Sequence, residues 1–554
     1  MKKLLVVSFI IILLTTLLIG CGEPETTTPQ TSAPATTTPA TSAPETTTSQ
    51  PPSTDTPQYG GLFRVIVAEF PTGSLGIPWK FAGASPINDL IIQRLMYHER
   101  NGDYTCILTE SYDWEDNYST LVLHLRQGIK FHDGTDFNAE AVKWNYDQAI
   151  AAQASAWELI KSCEATDEYT FKIHMDEYDA GLLPMVTAET INSPYSYMIS
   201  PTAFETNGED WANFHPVGTG AFKFAEYEAD SYILTERFDD YWEGKPYLDG
   251  VKVVLVPDPV TAQLSFESGE AESVSLIGKS YLLMRDLLPK GFVADSYPDL
   301  KTHLVPSAGD PNQVGVANDG PLGNVFVRMA IEYAIDKQAI CDSVFAGYYI
   351  PVYSFATPTF KEFEENVTPR SYNPDKARQL LEEAGYGDGF DVTLYSGTHL
   401  GGDDIPLIQS YLEAVGIRTT VEMTTIAKWI DMETNGWDGL LISPTGNDPS
   451  LANLLSRFWW TPSEPNWSKG IYWTAMYRPP ELQDIIDRYM METDPDKAYE
   501  IGMEFFQFEY DNCLSIPLWD WISAQFMQPY VHDARYEGTG WHRWDWGHAW
   551  MSQS

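Results

Sequence analysis

The chain of 554 residues contains little basic charge. Lysine and arginine together number 34, against 78 aspartates and glutamates, which gives a formal net charge of −44. A basic face that could neutralise the phosphates of a nucleic acid cannot be assembled from this composition, so nucleic acid is not expected as a partner. The acidic excess suits solubility at a cell surface or in a saline habitat, but it names no ligand.

Cysteine is scarce, and the sequence motifs of common catalytic and metal sites are missing. Besides Cys21 the cysteines are Cys106, Cys163, Cys341 and Cys513. No C-x-x-C pair occurs, so the spacing typical of a zinc site is absent, and three complete disulfide pairings of the four remain open. There is also no G-x-S-x-G, no H-E-x-x-H and no phosphate-binding glycine loop. We therefore predict no catalytic residue, no metal site and no cofactor.

The start of the chain is typical of an export signal. Lys2 and Lys3 precede an apolar stretch over residues 4–19, which ends at Gly20 and Cys21. The stretch is too short for a confident membrane span, and small residues precede a cut site. Since the Cys21 thiol can carry a diacylglycerol, whose two acyl chains anchor stably, residues 1–21 predict a lipoprotein signal peptide. An uncleaved N-terminal helix that anchors the chain is the alternative.

Residues 22–58 are predicted to be a disordered tether. They consist almost entirely of Thr, Ser, Pro, Ala and Glu, and no aromatic residue occurs there before Tyr59. Such a stretch cannot bury enough apolar surface to offset the entropy of ordering it, and its prolines make it extended. We expect it to hold a folded domain outside the cytoplasm, lipid-anchored at the outer face of the cell membrane or periplasmic.

The remaining 496 or so residues exceed what one hydrophobic core usually serves, so two or three lobes are expected.

Strand patterns alternate with helix patterns: residues 121–125 read as a strand, and Asn138 is a plausible cap for the helix after it. Residues 326–340 carry apolar side chains at helical spacing, which predicts one helix. Interleaved strands and helices indicate an α/β protein built around mixed sheets.

Four sequence blocks, in this order, resemble one family, the extracellular solute-binding proteins of peptide, nickel and oligosaccharide ABC importers, often called family 5. The blocks are LRQGIKFHDGTDFNAEAV at residues 125–142, PVGTGAF at 216–222 with DYWEGKPYLDGV at 240–251, VRMAIEYAIDK at 327–337, and YNPDKA through LEEAGY at 372–386. Each block contains turn or capping residues, so most of them are interpreted as scaffold rather than ligand contacts.

The resemblance implies a type II fold, like that of the periplasmic binding proteins, with two jaws, a hinge and an extra third lobe. The discontinuous first lobe would comprise residues 59–97, 213–312 and 516–554. Residues 98–212 would form the extra lobe and 313–515 the opposite jaw, with hinges near 312 and 515. Ligand would stabilise the closed state through its contacts with both jaws.

By the same resemblance, the function expected is that of a substrate-binding lipoprotein of an ABC importer. It would capture a peptide-like or oligosaccharide-like solute in the cleft between lobes and deliver it to the permease in the membrane, acting as a monomer and not as an enzyme. An anchored, tryptophan-rich extracellular hydrolase that acts on glycans is the alternative hypothesis.

The resemblance also points to a cleft-lining segment before an acid-proline pair, here Thr445, Asn447 and Asp448. Peptide-binding members carry an aspartate shortly before that pair, which takes the α-ammonium of the peptide. Thr445 stands at this place, so a simple zwitterionic peptide is not the expected ligand. Asp448 could replace the missing carboxylate, or it could only fix a turn.

Aromatic side chains are the other candidates, because their faces stack on flat or apolar groups and the indole N–H is a directional donor. Eighteen tryptophans are present. The candidates are Trp519 and Trp521 where the chain would return to the first lobe, Trp429 and Trp437 on the opposite jaw, and Phe70 and Trp79 after the first strand. For each of them, a place in the core is the competing interpretation.

Overall fold

A computed structural model describes residues 56–70, 73–80, 86–99, 102–154, 157–187, 195–276, 279–310, 313–461, 470, 472–539 and 541–552, all within one unit that spans 45–554. Cys21, the signal peptide and the tether up to residue 55 lie outside the described residues. Among the residues that are described, no helix is long and apolar enough to cross a membrane.

The strands of the described part are, in chain order, β1 Leu62–Val67, β2 Met96–His98, β3 Tyr104–Cys106, β4 Thr109–Glu115, β5 Thr120–Leu125, β6 Ser162–Asp167, β7 Thr170–His174, β8 Phe222–Glu228, β9 Tyr232–Arg237, β10 Gly250–Leu255, β11 Ser273–Ser275, β12 Val293–Pro306, β13 Gly309–Asp310, β14 Gln313–Ala317, β15 Ile350–Pro351, β16 Phe390–Gly397, β17 Ile417–Thr424, β18 Leu440–Gly446, β19 Ile516–Met527, β20 Val531–His532, β21 Arg535–Thr539, β22 Trp541–Asp545 and β23 Trp550–Met551.

The α-helices are α1 Pro86–Ile91, α2 Ala139–Ala151, α3 Leu182–Thr187, α4 Pro201–Asn207, α5 Glu209–Ala212, α6 Pro259–Glu267, α7 Ser280–Leu287, α8 Val325–Ala334, α9 Lys337–Ser343, α10 Lys361–Asn366, α11 Pro374–Glu383, α12 Ile405–Glu413, α13 Ile426–Asn435, α14 Leu451–Leu454, α15 Pro480–Met491 and α16 Pro495–Asn512. Short 3-10 turns lie at Pro78–Lys80, Trp157–Leu159, Leu288–Lys290, Pro321–Gly323, Pro358–Phe360 and Thr398–Leu400, and a π-turn lies at Leu455–Trp459.

One large mixed sheet runs in the order β17-β16-β18-β12-β19-β11-β1-β10-β9-β8, with β15 paired to β19. It contains two parallel groups, β16 with β17 and β18, and β1 with β10 and β11. The long strands β12 and β19 lie between these groups and pair antiparallel, with Thr302 opposite Trp519. The mixed α/β fold class is therefore confirmed.

A separate antiparallel sheet has the order β4-β5-β7-β6 and lies on its own apolar cluster, whose buried members run from Leu95 to Met198. Another cluster joins the apolar faces of both parallel groups and includes Trp519 and Trp521. The lobe boundaries given above stay predictions.

Local signals set several helix starts. The Asn138 side chain accepts a hydrogen bond from the N–H of Ala141 at 3.0 Å, which caps α2 as predicted. The single helix predicted over 326–340 is wrong, since α8 ends at Ala334 and α9 begins at Lys337. Asp336 caps this second helix by accepting from the N–H of Ala339. Both short helices bury apolar side chains, so the apolar periodicity continues across a break that the capping residue creates.

The first two sequence blocks contact each other. The N–H of His132, in the first block, donates to the carbonyl of Gly218, in the second. The Asp133 carboxylate of the first block also accepts from the hydroxyl of Ser200, which precedes the second block. A Cβ at Gly218 would lie 2.3 Å from the carbonyl oxygen of Ile91, so only glycine allows this close approach of two backbones. These blocks are structural in the described fold.

Arg328, in the third block, is buried and donates four hydrogen bonds to main-chain carbonyls. Its guanidinium reaches the oxygens of Asn512 and Cys513, at 2.7 and 2.8 Å, and those of Leu322 and Gly323, both at 2.9 Å. The first two belong to the C-terminal end of α16, where carbonyls lack partners within the helix. Arg328 therefore fastens the end of α16 to the start of α8, just before the chain enters β19.

Candidate functional site

A cavity of about 210 Å³ lies beside the central strands β12 and β19, where strands from both parallel groups end. The residues after β10, β11 and β16 contribute Pro259, the 279–282 segment and the 400–404 segment to its lining. In open α/β sheets the carboxyl ends of parallel strands are the usual place for ligands, since the loops there are free to carry side chains for binding. β12 and β19 supply the remaining wall between the two parallel groups.

Aromatic side chains form much of this wall. Phe345 stacks on Tyr349 with ring centroids 4.4 Å apart, and Tyr281 meets both rings edge-on at 5.3 and 5.5 Å. Trp519 packs on Phe345 at 5.4 Å, and Trp521 lies nearly parallel to Tyr349 at 6.2 Å. The five rings come from three distant parts of the sequence and are held against one another, so the wall is preformed.

The two tryptophans face the cavity because side chains two apart on a strand share a face. The Trp521 indole N–H donates to the Thr302 hydroxyl at 2.5 Å, and Thr302 also lines the cavity. This bond fixes the indole orientation across β12 and β19. Asp520, between the tryptophans, is buried, and burial raises its pKa to about 6.

Three charged side chains line the cavity: Lys279, Asp403 and Asp404. Lys279 and Asp403 are exposed, whereas Asp404 is only 8% exposed. Burial, together with the charge of Asp403, raises the pKa of Asp404 to about 6. The Tyr281 hydroxyl lies 3.5 Å from Asp403, and burial raises the pKa of this phenol. The cavity thus offers aromatic faces with an acidic edge.

Of the predicted site residues, the structure brings Trp519 and Trp521 to this cavity. Trp429 is buried, and its indole N–H donates to the carbonyl of Ile442 at 2.9 Å, while Trp437 is buried in the same apolar cluster. Neither of these two indoles is among the lining residues.

The two predicted residues after the first strand also lie in packing contacts. Phe70 meets Tyr227 edge-on at 6.3 Å. Trp79 packs against Trp144 and Phe204, with ring centroids 6.0 and 5.8 Å away. Their contacts join neighbouring parts of the fold, and the cavity lining does not include them.

The segment before the acid-proline pair is buried and internally bonded. The Thr445 hydroxyl lies 3.0 Å from Nε2 of His303, and the N–H of Asn447 donates to the carbonyl of Asp299. Asp448 accepts from the N–H of Ser450 at 2.7 Å and from the Asn453 side chain at 2.5 Å. Its carboxylate therefore fixes the turn before α14.

Several cavity residues were not predicted: Tyr281, Phe345, Tyr349, Asp403 and Asp404. The sequence Gly-Gly-Asp-Asp at 401–404 begins six residues after the strand pattern of 390–395 ends, and the carboxyl end of a strand is the signal that could have identified it. No comparable local signal marks the three aromatic residues.

None of the described residues that line this cavity is a cysteine. Cys106, Cys163, Cys341 and Cys513 are all free thiols. Within the described ranges, no group of three or more His, Cys, Asp or Glu side chains is arranged to hold a metal ion.

Curated relatives with similar sequences are the glutathione-binding proteins GsiB. The protein from Shigella flexneri is 30% identical over 411 residues, which cover 70% of this chain and 75% of the relative. The protein from Salmonella typhi is 28% identical over 438 residues, which cover 74% of this chain and 80% of the relative.

Solved structures share the fold. The substrate-binding protein CtaP of Listeria monocytogenes aligns with a TM-score of 0.74 at 20% identity, over 90% of this chain and all of that one. The protein DppA of Helicobacter pylori, in complex with the peptide STSA, aligns with a TM-score of 0.73 at 20% identity, over 90% and 99% of the two chains. The type II fold expected from the sequence is thereby confirmed.

The profile of a family described as "Bacterial extracellular solute-binding proteins, family 5 Middle" matches residues 104–465, well over half of the chain. Together with the GsiB relatives, this match establishes that the chain belongs to family 5 of the bacterial extracellular solute-binding proteins, the substrate-binding proteins of ABC importers.

Proposed function

We propose that the protein is a lipid-anchored receptor that captures a peptide-like solute in the aromatic cavity and delivers it to the permease of an ABC importer. One observation carries the proposal: the cavity is lined from both parallel groups of the large sheet, on either side of β12 and β19. A solute in that place touches both halves of the sheet at once. Such contacts stabilise the closed state, in which the two halves lie close together.

A peptide-like solute is favoured over an oligosaccharide. The relatives GsiB are named for binding glutathione, and DppA was solved with a peptide. The cavity also carries Lys279, Asp403 and Asp404, and charged side chains near aromatic faces suit a charged solute better than a neutral glycan. The alternative hypothesis of a glycan-acting hydrolase has no support in the family or in the relatives.

The anchor belongs to the same proposal, because it would keep the receptor at a high effective concentration near the permease. The basic start, the apolar stretch and Cys21 support it. We expect Cys21→Ser to move the protein from the membrane fraction to the soluble fraction after export. The matched variant Cys106→Ser should stay with the membrane. Equal membrane retention of both variants would contradict anchoring through Cys21.

Isothermal titration against panels of short peptides and oligosaccharides tests capture, and analysis of the mixtures afterwards tests turnover. We expect stoichiometric binding of a peptide-like solute with no product, and a smaller radius of gyration in solution scattering when the solute is bound. Binding of oligosaccharides alone would overturn the assigned solute class. Release of product at catalytic rates would overturn the transport role in favour of the hydrolase.

A further inference from the structure

The charges of the cavity are unequal. Asp403 and Asp404 carry two negative charges against the single positive charge of Lys279, which is exposed. Aromatic rings occupy much of the remaining lining, and ring faces are the negative ends of aromatic quadrupoles. Carboxylates and ring faces attract the same kind of group, so the cavity as a whole is complementary to positive charge.

The loop that carries the acids is shaped to bring them to the cavity. It leaves β16 through the turn Thr398–Leu400 and then passes through Gly401 and Gly402, which have φ values of 95° and 107°. These backbone angles favour glycine, and they allow the chain to reverse before α12 begins at Ile405. Asp404 thereby comes to lie at the start of α12 with its side chain against the cavity.

Besides the charge of the lining, the burial of Asp404 is a second indication that the cavity binds a ligand. It is only 8% exposed, and among the described residues its carboxylate accepts no hydrogen bond except from its own backbone N–H. A buried carboxylate without a partner is costly to maintain, whereas a cation that enters the cavity would satisfy it. A carboxylate without a partner side chain therefore forms part of the cavity lining.

We propose that Asp403 and Asp404, together with the rings of Tyr281, Tyr349 and Trp521, bind the cationic group of the solute, an organic ammonium or a guanidinium. This inference rests on the proposed function. The carboxylates would supply charge-assisted hydrogen bonds, and the rings would supply cation–π attraction. Asp403 and Asp404, here called the acid pair, thereby provide from a different loop the negative charge that Thr445 does not offer.

The geometry favours an organic cation over a metal ion. Oxygen-binding metal ions need more ligands than two adjacent carboxylates supply, and the described residues contain no cluster of three or more potential ligands. The cavity of about 210 Å³ has room for an amine-bearing group of amino-acid size.

The acid pair also predicts how binding depends on pH. Asp404, with its pKa near 6 in the free protein, must be ionised to bind a cation, so affinity is constant above that pH and falls below it. The other titratable groups that line the cavity are Lys279, Tyr281, Tyr349 and Asp403. At pH 5 about one molecule in eleven carries ionised Asp404, so the cation should bind about tenfold more weakly than at pH 7.5.

The test compares probes that carry a positive charge with counterparts in which that charge is removed. Free dipeptides are titrated beside their N-acetylated forms, and choline is titrated beside its neutral carbon isostere. We expect at least one cationic probe to bind at least tenfold more tightly than its neutral counterpart. In Asp403→Asn/Asp404→Asn this preference and the loss of affinity at pH 5 should both vanish, while the exposed control Asp388→Asn keeps them. Asp403→Asn alone, at an exposed position, should weaken the preference without affecting folding.

Equal binding of the charged and neutral probes would overturn the inference, and so would an unchanged preference in the double variant. In both cases a solute still binds, so the proposed capture function would survive. Failure of all peptides, amines and oligosaccharides to bind would instead overturn the proposed function itself.

Discussion

Glu433 allows a sharp test of the packing behind the cavity. It lies on α13, is 3% exposed, and accepts a hydrogen bond from the Ser443 hydroxyl on β18, which in turn accepts from the Trp473 indole at 2.7 Å. β18 is the strand that carries Ile442 to the cavity wall. Burial raises the pKa of Glu433 from 4.5 to about 8.

The raised pKa converts into a pH dependence of stability. The folded protein holds a proton on Glu433 that the unfolded chain releases above pH 4.5. The stabilisation is therefore complete below pH 4.5 and is lost as the pH rises through about 8. At ~1.4 kcal/mol per pH unit, the loss over this interval amounts to about 5 kcal/mol. Glu433→Gln cannot ionise and should escape the loss.

The measurement is urea unfolding of the wild type and of Glu433→Gln between pH 4.5 and 8.5, with the difference in free energy of unfolding plotted against pH. Burial also raises the pKa of Glu509 to about 7, but this acid is present in both proteins, so its contribution cancels. We expect the difference to shift by about 5 kcal/mol in favour of the variant. The exposed control Glu422→Gln should give a flat difference. A flat difference for Glu433→Gln as well would show that Glu433 does not hold a proton in the folded protein across this pH range.

Two further predictions concern the sequence blocks. Arg328→Met should lower the free energy of unfolding by about 4 kcal/mol, because four main-chain carbonyls, in buried or part-buried hydrogen bonds, lose their donor. Arg378→Met at the surface should cost about 0.5 kcal/mol, and equal effects of the two variants in urea unfolding would contradict the structural role of Arg328. Gly218→Ala should lower the melting temperature strongly, since its Cβ would meet the backbone of Ile91 at 2.3 Å, while Gly320→Ala, which meets only a side chain at 3.3 Å, should change it little. Equal shifts of the melting temperature in the two glycine variants would contradict this close backbone contact.

Local chemistry explains why much of the fold could be predicted. Asn138 caps α2, and Asn373 caps α11 by accepting from the N–H of Lys376 at 3.0 Å. A cap acts within one turn, so its signal is contained in a few residues. The prediction of a single helix over 326–340 was wrong for a related reason. Both α8 and α9 bury an apolar face, so the apolar periodicity alone does not reveal the break between them.

The site could be predicted only in part, because it depends on long-range pairing. Trp519 and Trp521 were predicted from their place near the return to the first lobe. Tyr281 and Asp403 stand more than a hundred residues apart in sequence, yet the Tyr281 hydroxyl lies 3.5 Å from the carboxylate. Their meeting depends on how β12 and β19 order the two parallel groups, and no local pattern encodes that order.

Thr445 shows the opposite case. Its position before the acid-proline pair predicted a place in the cleft, whereas Thr445 is 3% exposed and its hydroxyl lies 3.0 Å from Nε2 of His303. Side chains alternate along β18, and Ile442 faces the cavity from that strand. The face of the sheet to which a strand residue points depends on the register of that strand. The register is set by pairing with strands that are distant in sequence, so the local sequence alone does not determine it.

A crystal structure of the protein with the solute identified by titration would show where the solute binds. We expect the solute in the cavity at the ends of β10, β11 and β16, against Tyr349 and Trp521, with its cationic group within hydrogen-bond distance of Asp403 or Asp404. A solute bound elsewhere, with this cavity unoccupied in the complex, would show that the cavity is not the binding site.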